Sequence, residues 1–208
     1  ANYKIKCLDP NLLIDTILSP DNIVGSVVYP ACEIVQPGTI KHIAGNRFSL
    51  GEPEGSESDR LKFISEILKR AGFRAPIQKN IRDEIWLKLI GNLSFNPISA
   101  LTGATLEQIC NDQGTEAIVR AMMTEAKIIA EELGAKINMS IEKRIDGARK
   151  VGAHKTSMLQ DIEAGKPIEI DSIIIAVKEL GELTCSPTPY IDTILNLTLQ
   201  KAKIIGCL

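Results

Sequence analysis

The stretch Ile81-Arg82-Asp83-Glu84-Ile85-Trp86-Leu87-Lys88-Leu89-Ile90-Gly91-Asn92-Leu93-Ser94-Phe95-Asn96-Pro97 decides how the rest of the chain is read. Its apolar residues recur every three to four positions, the period of an α-helix and not of a strand. Within it Lys88, Asn92 and Asn96 stand at i, i+4 and i+8, so at about 100° per residue they form one drifting stripe. A stripe of that kind ordinarily faces water, and Glu84 one turn ahead of Lys88 would supply an i,i+4 partner. Two features oppose that reading. Ile81, Ile85, Leu89 and Phe95 fall around the stripe on the helical wheel, so the polar groups are embedded in the apolar face and need partners. Asparagine is also a poor helix former and Pro97 removes a backbone donor, so local stability has been given up here. Together these predict a polar pocket lined by one ammonium and two carboxamides.

Working outward, the period near 3.6 continues to the C-terminus. It predicts helices at 81–101, 106–111, 115–133, 141–151, 156–164, 167–180 and 189–204, with Gly134, Gly152, Gly165 and Gly181 where helices should stop. Upstream the pattern changes. Ile23 to Tyr29, Ala31 to Val35, Thr39 to Ile43 and Arg47 to Leu50 read as strands, punctuated by Gln36-Pro37-Gly38 and Gly45-Asn46, and the short connections suggest an antiparallel meander. Asp9-Pro10 reads as the start of a short helix through Leu18, and Glu57 to Ala71 as a second helix stopped by Gly72. The boundary is expected at Pro76 to Lys79. Residues 1–78 would form a small α/β part and residues 79–208 an all-α domain, an α+β chain overall.

Composition narrows the function. With 24 Lys+Arg against 26 Asp+Glu in 208 residues, the chain lacks the basic excess of a phosphate-backbone binder. Aromatics are 4% while 31 residues are isoleucine, which predicts an aliphatic core and no stacking platform for single strands. Five scattered cysteines without a C-x-x-C pair read as reduced thiols in a cytosolic protein. The aliphatic cluster Ile173 to Val177 is far shorter than a membrane span, so neither a nucleic acid nor a membrane is expected as partner. No two of the fifteen glycines are separated by one residue, so the G-x-G-x-x-G fingerprint is missing, and so are a P-loop and H-E-x-x-H. His42 and His154 have no metal-type partner at helical spacing.

A second constellation is His154-Lys155-Thr156-Ser157-Met158-Leu159-Gln160-Asp161, followed after Gly165 by Lys166-Pro167-Ile168-Glu169-Ile170-Asp171. Taken alone, Thr156 or Ser157 reads as a helix cap. Glu169 reads as a carboxylate in a first helical turn after Pro167, where the helix dipole favours it.

Trp86-x-Lys88-x3-Asn92-x3-Asn96-Pro97, the following Ala100-Leu101-Thr102-Gly103-Ala104, and Ser157-Met158-Leu159-Gln160-Asp161 ahead of Glu169-Ile170-Asp171 together resemble the ketopantoate reductase (2-dehydropantoate 2-reductase) family. The resemblance runs from about Asn22 to the C-terminus and includes Val27-Val28-Tyr29 and Pro37-Gly38. It implies an N-terminal Rossmann-type domain for NADPH and a helical C-terminal domain resembling that of 6-phosphogluconate dehydrogenase. Residues 1–78 would then be the remnant of the nucleotide domain, and residues 79–208 the substrate-binding and catalytic domain. The implied activity is NADPH-dependent reduction of ketopantoate, a small keto acid, to pantoate for pantothenate and coenzyme A synthesis. A cytoplasmic enzyme is implied, and a homodimer is compatible with it.

By the same resemblance Lys88 matches the catalytic lysine, Asn92 and Asn96 match substrate-holding asparagines, and Ser157 matches the substrate-binding serine. Glu169 matches the acidic residue beside substrate and nicotinamide ribose, which makes it both a catalytic and a cofactor-binding candidate. The residue types suit the chemistry, because hydride addition to a 2-keto group builds negative charge that an ammonium can stabilise and protonate. The chain departs from the family in lacking the glycine loop and successive βαβ units. Where the family carries Gln-Asn-Gly, it reads Lys4-Ile5-Lys6-Cys7-Leu8-Asp9-Pro10. A fragment of a longer enzyme is the favoured explanation over a truncated relative. A reductase of another branched 2-keto acid and a noncatalytic helical assembly module remain as other readings.

Overall fold

The computed structural model describes residues 4–208, in which helices predominate and the strands are antiparallel. Strand β1 (Gly25–Val28) pairs with β4 (Phe48–Gly51), and β2 (Ala31–Gln36) with β3 (Thr39–Ala44), in two separate two-stranded sheets. The expected meander is therefore corrected: β2 and β3 form a hairpin that loops out between β1 and β4. Close packing explains the choice of partner. Gly25 faces Gly51 across the β1–β4 pair, and a Cβ on either would come within 2.9 Å or 2.7 Å of Ile81 side-chain atoms. The glycine pair thus seats Ile81, a contact the order of strands in the sequence does not show.

The strand region is capped by helix α2 (Asp59–Arg70), which packs Leu61 against Leu50 and Ala75. Ser58 is its N-cap, accepting from Leu61 N at 3.1 Å. Glu52 is buried, at 1% exposure, and accepts from Ser58 Oγ, Arg60 Nε (2.8 Å) and Arg60 Nη2 (2.6 Å). Arg60 in turn donates to the carbonyls of Asp21 and Ile23, so one ion pair ties β4, α2 and the segment before β1 together. Arg60 first and Ser58 second hold the Glu52 carboxyl down at about 2, against 4.5 ordinarily. The folded state therefore binds this proton less readily than the unfolded state. The stabilisation is present above pH 4.5 and lost as pH falls toward 2. Urea midpoints measured from pH 5 to 2 should fall more steeply for the natural chain than for Glu52→Gln, and parallel curves would refute the assignment.

The helix expected from Pro10 to Leu18 is confined to α1 (Ile14–Ile17), followed by a 3₁₀ turn at Pro20–Asn22. Leu12 adopts φ +53°, a left-handed conformation that interrupts the helix, and Asp9 Oδ1 accepts from Leu13 N (2.8 Å) instead of capping at Pro10.

The remaining helices are α3 (Ile81–Thr102), α4 (Leu106–Asn111), α5 (Gln113–Glu132), α6 (Ile141–Val151), α7 (Ser157–Glu163), α8 (Ala176–Leu183) and α9 (Pro189–Ile205). Side chains cap several of them: Thr105, Asp112, Ser140 and Thr156 each accept from the backbone N–H three residues on. The middle of α3 is buried on every side: Ile90, Leu93, Ser94, Phe95, Asn96, Ile98, Ser99 and Ala100 are all inside. Its serine hydroxyls are satisfied locally, Ser94 by Ile90 O (2.9 Å) and Ser99 by Ala104 O (2.6 Å). Around it pack Met122, Met123, Ile129, Ile145, Ile174 and Ile191, each worth about 1.5–3 kcal/mol of burial, and Trp86 belongs to the same cluster.

Two expectations in this half fail. Pro167 does not open a helix, because Ile168 N donates to Cys207 O (3.0 Å) and ties the stretch to the chain end. The helix starts only with a π turn, Asp171–Ile175, that runs into α8. Gly181 does not stop α8 but lies inside it. A Cβ there would stand 2.9 Å from Thr188 Cγ2, so this glycine serves close packing. The start of α9 is held from a distance: Tyr190 N and Ile191 N donate to the buried Glu125 carboxylate on α5, at 2.9 and 3.0 Å.

The chain divides into two compact units, Ile14–Ile85 and Trp86–Leu208, the latter joined by Leu13 and the described residues before it. The division falls inside α3, later than the stretch Pro76 to Lys79. No helix among the described residues is long and apolar enough to cross a membrane.

Candidate active site on helix α3

Lys88, Asn92 and Asn96 lie on successive turns of α3, the first two half-buried and Asn96 only 4% exposed. One turn before them, both Glu84 oxygens accept from the strand region, one from Tyr29 OH (2.6 Å) and the other from Arg47 Nη2. The Arg47 guanidinium also lies 5.1 Å over the Tyr29 ring, which fixes that cluster further.

Burial pushes the Lys88 ammonium below its ordinary value, and the Glu169 carboxylate works against that shift. The pull of Glu169 brings a residue far along the chain into the electrostatic field of α3. Glu169 itself is exposed and sits just ahead of the π turn, not in the first turn of a helix opened by Pro167.

The segment before α7 settles which hydroxyl is the cap. Thr156 Oγ1 accepts from Leu159 N (3.4 Å) and is buried, which leaves the exposed Ser157 hydroxyl for other partners. Asn96 Nδ2 lies 3.5 Å from Ser157 Oγ, so residues 61 positions apart meet at one point. Asn92 stands between Lys88 and Asn96 on the same face. His154 contributes its backbone, its carbonyl accepting from Leu106 N (2.9 Å). Among the described residues no group of three metal-ligating side chains converges.

One neighbour of this stripe was not foreseen. The Arg144 guanidinium lies on α3 where a Cβ on Gly91 would stand 2.1 Å from Nη2, so Gly91 admits the arginine. The only signal in the sequence was a glycine in mid-helix, which lowers helix stability without saying what approaches it.

The structure thus places an ammonium and two carboxamides along one helix, with the Ser157 hydroxyl meeting Asn96 and the Glu169 carboxylate acting on Lys88. The family profile described as ketopantoate reductase PanE/ApbA C terminal matches residues 80–202. The chain belongs to the ketopantoate reductase family. The 2-dehydropantoate 2-reductase of Mesorhizobium japonicum (strain LMG 29417 / CECT 9101 / MAFF 303099) is 51% identical over 204 residues, 98% of this chain and 63% of that protein. A crystal structure assigned as a ketopantoate reductase from Ralstonia solanacearum MolK2 has a TM-score of 0.94 at 40% identity. It covers 100% of this chain and 63% of that one. D-mandelate dehydrogenase in complex with NADH gives 0.84 at 20% identity, over 93% of this chain and 66% of that one, a likeness of fold. The chain spans 63%, 59% and 52% of the lengths of three curated relatives it matches, each a 2-dehydropantoate 2-reductase.

Proposed function

We propose that this chain forms the substrate half of an NADPH-dependent reductase that converts 2-dehydropantoate to pantoate, on the route to pantothenate and coenzyme A. The observation that carries the reading is the meeting of Asn96 and Ser157 at 3.5 Å on the helix that also bears Lys88, whose ammonium Glu169 influences. In this reading residues 79–208 are the substrate domain, of the 6-phosphogluconate dehydrogenase kind, and residues 1–78 close a Rossmann-type nucleotide domain. A cytoplasmic location and a homodimer go with it, tested by fractionation and sedimentation of the complete protein.

Lys88 donates to the keto oxygen and delivers a proton as negative charge builds there. Asn92 and Asn96 donate to substrate oxygens or accept from the substrate hydroxyl, and Ser157 holds the far end of the molecule. Glu169 accepts from a hydroxyl and balances the lysine charge, and would hold the nicotinamide ribose. The hydride comes from the nicotinamide when it is bound. The described residues keep one strand–helix–strand turn, in which β4 is followed by α2 and then by residues 74–77 bridged parallel to it (Arg47 with Arg74, Leu50 with Ile77), but the sequence has no Gly-x-Gly turn to cradle that nucleotide. A nicotinamide is the cofactor class that fits a reductase of this family, and NADPH is the form proposed.

The 208-residue chain alone should therefore show no saturable NADPH binding at micromolar levels when nicotinamide fluorescence is followed. A clean micromolar isotherm would overturn the domain assignment. In the complete enzyme, Asn96→Ala and Ser157→Ala should each raise KM for the keto acid by about 5- to 150-fold, the equivalent of about 1–3 kcal/mol, with KM for NADPH little changed. An unchanged keto-acid KM in both variants removes them from the site. The alternative, another branched 2-keto acid, is separated by comparing turnover of ketopantoate and ketoisovalerate. The polar groups around Asn92, Asn96 and Glu169 favour the substrate that carries a hydroxyl. The same polar set argues against a noncatalytic assembly module, which has no need of a half-buried ammonium near a carboxylate.

A further inference from the structure

The segment Lys4 to Asp9 is fastened to the helical unit by backbone and thiol hydrogen bonds. Both Glu179 oxygens accept backbone donors from it, Oε2 from Lys6 N (2.7 Å) and Oε1 from Cys7 N (2.9 Å). Such charge-assisted bonds to an ionised acceptor are among the stronger ones available. Cys7 Sγ donates to Asp171 O at 3.7 Å. Burial first and Glu179 second push that thiol up to about 11, so it keeps its proton and remains a donor at neutral pH. The segment also closes on itself, Leu8 N and Asp9 N both donating to Ile5 O, at 3.2 and 3.1 Å.

The acceptor of the thiol is informative. Asp171 O also receives Ala176 N, five residues on, the bond that defines the π turn Asp171–Ile175. A π turn accommodates an extra residue. Its relaxation to ordinary α-helix would rotate everything just before it by about 100° about the helix axis. Glu169 is two residues before that turn.

We infer that Glu179 is a positioning residue: by clamping the Lys4–Asp9 segment onto the π turn, it fixes where the Glu169 carboxylate stands relative to Lys88. This rests on the proposed site, in which Glu169 supports the Lys88 ammonium. Cys7 is the second point of the same clamp. The groups involved around the thiol are Glu179 and Asp171, and Glu169 acts on Lys88.

The test follows the titration of Lys88 by ¹³Cε-lysine NMR in the 208-residue chain, its signal assigned through Lys88→Arg. Glu169→Gln should lower the midpoint further by removing the supporting charge. Glu179→Ala should reproduce part of that fall, and the double variant should add nothing beyond Glu169→Gln alone. Cys7→Ala should shift the midpoint in the same direction and Cys7→Ser, which restores a donor, should not. A merely structural clamp would change melting temperature and leave the Lys88 midpoint in place. If Glu169→Gln moves Lys88 while Glu179→Ala and Cys7→Ala do not, the positioning role is overturned and the proposed site stands. If Glu169→Gln itself leaves Lys88 unmoved, the charge pairing in the site fails and the inference fails with it. Should Glu179→Ala not fold, the Cys7→Ala and Cys7→Ser pair decides.

Discussion

Lys88→Ala in the complete enzyme should lower kcat by on the order of 10² or more with the fold preserved, since general acid catalysis typically contributes 10² to 10⁴. Lys88 is on the α3 stripe with Asn92 and Asn96, and truncating a half-buried side chain there disturbs little of the packed core. Lys88→Arg should not restore activity, because guanidinium keeps its proton and presents it in a different shape. The pH profile adds a second check. With Lys88 as the proposed general acid its protonated form is the active one, so kcat should decline as pH rises through its folded value. Burial places that decline below the ordinary lysine value of 10.5. Near-normal kcat in Lys88→Ala would end the catalytic reading.

The second large effect is structural. Glu125→Ala should destabilise the chain by about 2–4 kcal/mol, because it strands two backbone N–H groups at the buried start of α9. For a chain of this length that is roughly 4–16 °C in Tm, readable by differential scanning calorimetry. Burial pushes the Glu125 carboxyl up from its ordinary 4.5, against the two backbone donors that pull it down. The folded state thus holds this proton to higher pH than the unfolded state does. The contribution is fully present below pH 4.5 and declines as pH rises through the folded value. The stability difference between the natural chain and Glu125→Gln should fall across that window. A flat difference would mean that the carboxyl titrates as it does in the unfolded chain.

The helical half was legible because its signals are local. Thr105, Asp112, Ser140 and Thr156 announce helices within three residues, and α4 and α6 begin and end where their periodicity says. The stripe on α3 was legible for the same reason, since Lys88, Asn92 and Asn96 share one helix, although Ile85, read as part of the apolar face around them, is exposed. What failed was nonlocal. The pairing of β1 with β4 depends on Ile81 seating itself over Gly25 and Gly51, a contact between distant residues. Pro167 reads as a helix start until the tie from Ile168 to Cys207 is known, and Gly181 reads as a stop until Thr188 is seen against it. Glu125 at the start of α9 and Glu179 on the Lys4–Asp9 segment are caps supplied from far away in sequence. No window of sequence contains both partners.

The chain has a single tryptophan, and Trp86 lies 8% exposed in the core of the helical unit, two residues before Lys88. Its emission therefore reports the packing of the helical unit's core. Fluorescence emitted at tryptophan wavelengths follows the collapse or loosening of the helical core, while circular dichroism sums over both units. If the two halves come apart independently, the optical curves will not superimpose, and a single unfolding free energy will have no meaning for this chain. The same indole, so close to the lysine, makes the protein its own dye for any keto acid that settles on α3.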